Sequence, residues 1–260
     1  METERLGTDD WGRTHAFPIA GEYREDILRS EDGLLWLVAG GSNDTLTVWH
    51  EMEPPGESIH DYICSLFVPG RTFLDVGAHE GHYSIRAAAA GMPVIAVEAN
   101  PECAHHLIMN ARLNHVEDRI TVLSLAAWDT LGMTELWLPP DAKLRNGSGT
   151  FLPRDGWSTT GLHVPTVPLD DIPLISEADL GLVKLDVEGS DLHVLEGMHD
   201  TLSAADNCKI VWEDHHWAGV YTDQDGEAAR YRLSVHGGWK WQTAWQAGVR
   251  VRERYWVGKN

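Results

Sequence analysis

Apolar residues in the middle of the chain fall into short, nearly continuous runs that alternate with longer segments of helical periodicity. Continuous apolar runs bounded by Gly, Pro or Asp are typical of strands buried on both faces of a parallel sheet. The predicted core strands span residues 72 to 76, 93 to 98, 119 to 125, 182 to 185 and 209 to 212. Predicted helices at 82 to 90, 101 to 114 and 190 to 203 lie between them. This alternation predicts an α/β fold with a doubly wound, mostly parallel sheet and helices on both faces.

The first seventy residues follow a different pattern. Leu34–Val38 and Thr45–Trp49 alternate apolar and polar residues on either side of the turn-forming segment Gly40–Asp44, which predicts a β-hairpin. Apolar residues at helical spacing then predict a helix that runs from Ile59 to Phe67. We therefore expect residues 1–69 to form an appendage of a hairpin and a helix, and residues 70–260 to form the main domain.

Three further segments carry weaker patterns. Thr134–Leu138 alternates and predicts a short extra strand, whereas residues 139 to 162 are rich in Gly, Pro, Ser and Asp and predict a mobile loop. A lid over a bound ligand is favoured over plain disorder for a loop of this length. Toward the end of the chain, a helix is predicted near residues 226 to 236 and a hairpin between Trp239 and Trp256.

A glycine-rich turn follows the first core strand. Gly77 and Gly81 enclose this turn, Asp75 stands just before it, and the second strand ends on Glu98. Strand, glycine turn, helix, strand and terminal acid, in this order, are typical of a pocket for an adenosyl cofactor, in which the acid binds the ribose hydroxyls. His79 occupies the small middle position that a pyrophosphate needs, and an acid beside the turn disfavours phosphate. The sulfonium of S-adenosylmethionine (SAM) suits an acidic turn, so the sequence predicts SAM rather than a dinucleotide.

The charge and composition of the chain limit the classes of molecule that it is expected to bind. The chain has 40 acidic and 20 basic residues and a formal net charge of −20, which disfavours nucleic acid and anionic membranes as partners. A neutral or cationic small molecule fits better. No apolar run is long enough to span a bilayer and the first residues do not resemble a secretion signal, so we expect a cytoplasmic protein. Cys64, Cys103 and Cys208 are too few and too scattered for a disulfide framework or a thiolate zinc site.

The chain resembles the FkbM family of SAM-dependent methyltransferases over roughly residues 70 to 215. Five segments carry the resemblance: Phe73–Ser84, Val97–Pro101, Ala126–Asp129, Val167–Asp171 and Val183–Ser190. The resemblance implies a class I methyltransferase fold of seven strands and an enzyme that modifies a hydroxyl of a sugar, polyketide or other natural product. The chain departs from the family at His79, where Asn is usual, and at His82, where an aromatic residue is usual.

The predicted cofactor site combines the turn, the end of the second strand and the segment after the third strand. Asp129 is expected to accept the adenine amino group, and Trp128 to offer the ring an apolar face. The complete set of predicted cofactor contacts is Asp75, Gly77, Ala78, His79, Gly81, His82, Glu98, Ala99, Ala127, Trp128 and Asp129.

Acidic residues follow strands 4 and 5. Asp186 comes after strand 4 and the pair Glu213 and Asp214 comes after strand 5, so the topology would bring them to one mouth of the sheet. Their arrangement is similar to the magnesium site of catechol O-methyltransferase, which makes Mg²⁺ a candidate second cofactor. The alternative is structural, because acids at strand ends often cap the next helix. Lys184, inside strand 4, is expected to pair with an acid on a neighbouring strand.

An aliphatic hydroxyl needs a base or a metal to become a nucleophile, and His215 and His216 are the candidate bases beside Asp186 at this mouth. The resulting hypothesis is a SAM-dependent O-methyltransferase acting on a small natural product or its sugar. N- or C-methylation of a peptide or amino-acid-derived acceptor is the alternative within enzymes. A noncatalytic module that binds SAM or NAD is the alternative outside them, and the sequence leaves a homodimer open.

Overall fold

The computed structural model describes residues 25–30, 32–39, 59–138, 149–151, 156, 158–213, 240–243 and 255–259. In chain order its elements are β1 (Glu25–Arg29), β2 (Leu35–Ala39), α1 (Ile59–Ser65), β3 (Thr72–Val76), α2 (His82–Ala89), β4 (Val94–Val97), α3 (Pro101–Leu113), β5 (Ile120–Leu123), β6 (Ala126–Ala127), β7 (Gly132–Leu138), β8 (Ser158–Val167), α4 (Pro173–Ser176), β9 (Leu180–Leu185), α5 (Asp191–Gly197), α6 (His199–Ala204), β10 (Lys209–Glu213), β11 (Lys240–Thr243) and β12 (Tyr255–Lys259). Single 3₁₀ turns lie at Glu117–Arg119 and Leu169–Asp171.

The central sheet has the strand order β11-β12-β10-β9-β3-β4-β5. Strands β5, β4, β3, β9 and β10 are parallel, β12 is antiparallel to β10, and β11 is antiparallel to β12. Every residue of β9 is buried, as expected for a strand covered on both faces. The predicted α/β class with a mostly parallel sheet is confirmed.

The sheet reverses its winding direction between β3 and β9. From β3 the chain moves outward through β4 and β5, and from β9 it moves outward on the other side through β10. In open α/β sheets the crevice at such a reversal, beyond the carboxyl ends of the strands, is the usual place for a ligand. Gly77 follows β3 at this crevice, and Asp186 follows β9.

Two apolar clusters cover the two faces of the sheet. Consecutive residues of β3 enter different clusters, since side chains alternate between the faces of a strand. Phe73 packs with Ile85 and Leu107 from α2 and α3, whereas Leu74 packs on the opposite face with Trp212. Strand β3 is therefore buried on both of its faces.

A second sheet of three strands, in the order β6-β8-β7, flanks the central one. The predicted extra strand at 134 to 138 is present as β7. The predicted loop at 139 to 162 is wrong over residues 158 to 162, because β8 begins at Ser158 and pairs antiparallel with β7. Thr150 forms a bridge to Trp137, and apart from residues 149–151 and 156 the remainder of the predicted loop lies outside the described residues.

The N-terminal segment forms the predicted strand at 34 to 38 with a different partner. Strand β2 pairs antiparallel with β1, which the sequence analysis did not identify, and the turn between them spans Ser30 to Leu34. The predicted strand at 45 to 49 lies outside the described residues. Helix α1 is where the apolar spacing placed it.

The later elements follow the prediction with one correction. The helix predicted at 190 to 203 is divided into α5 and α6 at Met198. Strands β11 and β12 pair antiparallel as predicted for the terminal hairpin, while its turn and the helix predicted near 226 to 236 lie outside the described residues. Within the described part of the chain, no helix combines the length and the apolar character needed to cross a membrane.

Candidate cofactor and active site

Gly77 joins the ends of the two central strands. Its φ of 79° is left-handed, and a Cβ at this position would lie 1.8 Å from the carbonyl oxygen of Asp186. Its N–H donates to the carbonyl of Val97 at 2.9 Å. Glycine is therefore required at position 77 for its backbone angle and for the close contact with the end of β9.

The remainder of the turn contains two more left-handed residues. His79 has a φ of 51° and Gly81 a φ of 92°, and the N–H of Gly81 donates to the carbonyl of Ala78 at 2.9 Å. A left-handed φ is costly for most residues with a Cβ but is adopted more readily by Asn, Asp and His. Nε2 of His79 is buried, and no hydrogen-bond partner for it lies among the described residues. His79 is thus placed in the turn with a polar atom available to a ligand.

Glu98 binds the turn from the end of β4. Its Oε2 accepts the N–H of His79 at 2.7 Å and its Oε1 accepts the N–H of Asn100 at 2.8 Å. The side chain is buried, with 9% of its surface exposed, and this burial raises the pKa of Glu98 despite the two backbone donors. Each carboxylate oxygen keeps a further lone pair, which is what the predicted contact with ribose hydroxyls requires.

Lys184 pairs with an acid of β3 and with the acid that follows β9, which confirms its predicted pairing with a neighbouring strand. Its Nζ lies 3.4 Å from Oδ1 of Asp75 and 3.6 Å from Oδ2 of Asp186, and it donates to the carbonyl of Gly77 at 2.9 Å. Burial alone would lower the pKa of Lys184, but the carboxylates of Asp75 and Asp186 outweigh it and raise the pKa. The ammonium therefore stays charged and connects β3, β9 and the turn.

Asp75 lies beneath the turn rather than in the crevice. It is 0% exposed, and its Oδ2 accepts a hydrogen bond from Ser84 at 2.7 Å. The ammonium of Lys184 lies 3.4 Å from its Oδ1 and compensates the buried charge of Asp75. A direct contact between Asp75 and a cofactor stays an untested prediction.

Asp129 and Trp128 both contact His193, a residue that the sequence analysis missed. Nδ1 of His193 lies 2.6 Å from Oδ2 of Asp129, and the His193 and Trp128 rings stack with centroids 4.1 Å apart. Helix α5 approaches so closely that a Cβ at Gly197 would lie 1.8 Å from the carbonyl oxygen of Trp128. The segment after β6 is thus fixed by α5, with Oδ1 of Asp129 not engaged by the imidazole.

His82 begins α2, and its ring contacts the N-terminal part of the chain. Its Nε2 lies 2.8 Å from Nδ1 of His60 in α1, and its ring stacks on Trp36 of β2 at 6.0 Å. The guanidinium of Arg86 donates to its carbonyl and lies over the Trp36 ring. This places His82 in an interface between α1, α2 and β2, and its predicted cofactor contact stays untested.

The other predicted cofactor residues have backbone roles. Ala78 donates its N–H to the carbonyl of Val97 at 3.1 Å, and Ala127 pairs with Val167 in the second sheet. Ala99 is half-buried between Glu98 and the N-cap of α3.

Two of the three predicted metal ligands, Asp186 and Glu213, are among the described residues. Asp186 has 31% of its side chain exposed beside Lys184, and Glu213 is buried at the end of β10. Asp214, with the candidate bases His215 and His216, lies outside the described residues. The described residues contain no group of three or more His, Cys, Asp or Glu that could hold a metal. The Lys184 ammonium lies 3.6 Å from Oδ2 of Asp186, so one of the three predicted metal ligands already has a counter-ion.

His193 and Asn110 are the functional candidates that sequence reasoning missed. The partner of His193 is 64 residues away in the chain, so no local spacing signals the contact. Asn110 is fully buried within α3. Its position among the apolar residues of the helix could have indicated that its side chain binds a buried polar partner. Its side chain donates to the carbonyl of Glu80 in the glycine turn at 2.9 Å.

Comparison with known proteins gives one family and several more distant similarities. The model of the methyltransferase FkbM domain matches residues 75–236. The tRNA (guanine(37)-N(1))-methyltransferase of Danio rerio is 41% identical over 70 residues, which are 27% of this chain and 15% of that protein. The chain therefore spans only a small part of the curated relative.

Two solved structures are among those that the comparison found to be similar. The methyltransferase FkbM of Methylobacillus flagellatus KT has a TM-score of 0.49 and 16% identity, covering 77% of this chain and 50% of that one. TYW2 of M. jannaschii in complex with AdoMet has a TM-score of 0.47 and 15% identity, covering 92% of this chain and 86% of that one. The family model, in contrast, covers more than half of the chain and includes the turn, Glu98 and the residues after β9. The chain belongs to the FkbM methyltransferase domain family.

Proposed function

We propose that this chain is a SAM-dependent methyltransferase that transfers a methyl group to a hydroxyl of a small natural product or its sugar. The observation that carries this proposal is the glycine turn at the sheet reversal, where Gly77 contacts the end of β9 and Glu98 binds the backbone of His79. Family membership supports the methyl transfer, and the hydroxyl acceptor is our inference.

Three groups are suited to hold the cofactor. The unused lone pairs of Glu98 would accept the ribose hydroxyls, Oδ1 of Asp129 would accept the adenine amino group, and Nε2 of His79 would face the ligand. The chemistry supplied by the bound cofactor is an activated methyl group on a positively charged sulfur. The chain's task is then to hold the acceptor in line and to remove its proton.

Asp186 is the described residue best placed to receive the acceptor. It directly follows β9, its carbonyl contacts Gly77, and its partly exposed carboxylate can accept a hydrogen bond from a hydroxyl. His215 and His216 remain the proposed bases. The net charge of −20 favours neutral or cationic acceptors over polyanions.

Calorimetry with SAM and with NAD tests the cofactor assignment. We expect binding of SAM and none of NAD. Replacing Glu98 with Gln should weaken SAM binding at least tenfold, since the amide has only one accepting oxygen for two backbone donors and two hydroxyls. His105→Gln, at an exposed position of α3, is the matched control and should bind like the wild type. Binding of NAD in place of SAM would overturn the proposal.

Transfer from SAM with a deuterated methyl group to a panel of sugars, polyketides and peptides tests the acceptor. We expect labelled O-methyl ethers, with turnover lowered at least tenfold in Asp186→Asn while SAM binding is kept. Full turnover in this variant would remove Asp186 from the chemistry. Label on nitrogen or carbon would support the alternative of N- or C-methylation, and SAM binding without any transfer would support a noncatalytic module.

The partial similarity to a tRNA (guanine(37)-N(1))-methyltransferase favours an RNA nitrogen as the second candidate acceptor. The acidic composition opposes it, because phosphate binding requires clustered basic residues. Transfer of label to unmodified tRNA, with binding that weakens as salt is raised, would support this candidate over ours.

No step of the proposed reaction is assigned to a metal, because the Lys184 ammonium already pairs with Asp186, one of the three predicted ligands. We expect methyl transfer to persist in the presence of a chelator. Activity that is lost on chelation and restored by Mg²⁺ would instead support the site predicted from Asp186, Glu213 and Asp214.

We also propose that residues 1–69 form an appendage to a methyltransferase domain of residues 70–260, with the complete seven-stranded class I sheet in the latter. Strand β2 and helix α1 pack on α2 and α3, which supports this division. The cytoplasmic location and the homodimer remain predictions.

A further inference from the structure

We propose that Asn110 is a positioning residue that couples the N-terminal hairpin, formed by β1 and β2, to the cofactor turn, which runs from Gly77 to Gly81. This inference rests on the proposed SAM-dependent function, since the turn is the proposed SAM site. It assigns to the hairpin a direct effect on SAM affinity rather than a packing role alone.

The side-chain amide of Asn110 bridges the two parts of the chain. It is 0% exposed within α3. Its Oδ1 accepts the backbone N–H of Leu37 in β2 at 2.8 Å, and its Nδ2 donates to the backbone carbonyl of Glu80 in the turn at 2.9 Å. A single amide therefore uses its acceptor on the hairpin and its donor on the turn.

The carbonyl of Glu80 lies between the two left-handed residues of the turn. Glu80 stands between His79 and Gly81, which both have left-handed φ angles. Glu98 fixes one side of this segment through the N–H of His79, and Asn110 fixes the other side through the Glu80 carbonyl. Because a left-handed residue with a Cβ persists only when its surroundings hold it, both contacts are expected to maintain the turn's shape.

The hairpin determines which way the Asn110 amide faces. A backbone N–H can only donate, so the N–H of Leu37 requires the amide oxygen on its side and thereby turns the NH₂ group toward Glu80. Asn114, one helical turn later, also binds the hairpin, since it accepts the N–H of Leu35 and donates to its carbonyl, both at 2.8 Å. Asn114 does not contact the turn in the described structure, and its other donor bond is to the carbonyl of Asn110.

This pair offers a matched experiment in the full-length protein. Asn110→Asp keeps an acceptor for Leu37 but loses the donor to Glu80, whereas Asn114→Asp keeps an acceptor for Leu35 and loses a donor to the hairpin. SAM affinity is measured by calorimetry at about pH 8 and again at about pH 5.5, with the thermal midpoint of each variant recorded alongside. We expect Asn110→Asp to raise the Kd for SAM about tenfold at the higher pH and Asn114→Asp to change it less than about twofold.

The pH dependence separates positioning from general destabilisation. A buried carboxyl at position 110 that takes up a proton regains an O–H donor for the Glu80 carbonyl, so its SAM affinity should recover as the pH falls. Equal effects of the two variants on SAM affinity, or a loss at position 110 that does not recover at low pH, would overturn the inference. If Asn110→Asp does not fold, Asn110→Ala replaces it in the comparison with Asn114→Ala at the higher pH. Failure of the wild type to bind SAM would overturn the proposed function itself.

Discussion

His193 donates a hydrogen bond from Nδ1 to Oδ2 of Asp129 across 2.6 Å, with 38% of the histidine side chain exposed. Because a carboxylate only accepts, this contact fixes the proton on Nδ1 whether the imidazole is neutral or charged. The ring also stacks on Trp128, so the hydrogen bond and the stacking together fix its orientation. Asp129 consequently presents its other oxygen in a defined direction.

Replacing His193 with Ala should lower SAM affinity about three- to tenfold, because the Asp129 carboxylate loses the partner that orients it for adenine. Calorimetry with SAM measures the effect. Binding of methionine alone should not change, since the proposed contact is to the adenine. The exposed His105→Ala variant is the control. Unchanged SAM affinity in the His193 variant would show that Asp129 does not bind adenine.

Replacing Lys184 with Met should lower the free energy of unfolding by about 3 to 5 kcal/mol, because the fully buried Asp75 loses its counter-ion. Urea unfolding at several pH values measures this change.

The double variant Asp75→Asn with Lys184→Met should recover part of that stability, because no uncompensated charge remains. In the wild type the pKa of Lys184 is raised, so its stabilisation is complete below the ordinary lysine pKa and is lost only as the pH rises through the folded value. Wild-type stability should therefore show no step from this residue near neutral pH. Additive effects of the two substitutions would contradict the pairing.

The cysteines should react slowly in the native protein. Burial raises the pKa of Cys64 to about 12 and that of Cys208 to about 12, and Cys103 is buried. Since the thiolate is the reactive form, alkylation by iodoacetamide at about pH 8 should be slow for both, and mass spectrometry after denaturation should show all three labelled. Rapid native labelling of Cys64 would mean that α1 detaches from the core.

The central strands and the glycine turn were predictable because their signals are local. The strand Phe73–Val76, which is apolar except for Asp75, the glycines at 77 and 81 and the acid Glu98 lie close together in the sequence, and the structure places them around one turn. Lys184 was predictable for a related reason, since a charged residue inside a buried strand requires a partner on the next strand.

The missed features depend on contacts between distant segments. Strand β1 pairs with β2, but its sequence alternates weakly and its partner was assigned to a different segment. Strand β8 begins in a stretch rich in Ser, Thr and Gly that is typical of a loop, and its pairing with β7 overrides that propensity. Helix α5 ends at Gly197, which lies very close to the backbone of Trp128. Nothing in the sequence around Gly197 indicates this contact.

The two asparagines that bind β2 also set its alignment. Four residues of helix advance by about 6 Å, and two residues of strand advance by nearly the same distance, so amides at 110 and 114 meet the N–H groups of Leu37 and Leu35 in step. A slip of β2 by one residue would turn these N–H groups away from α3. The spacing of the two asparagines on α3 therefore fixes the register of β2 against the helix. Because these contacts are to the backbone of β2, side-chain changes in β2 that preserve its backbone geometry should leave them intact.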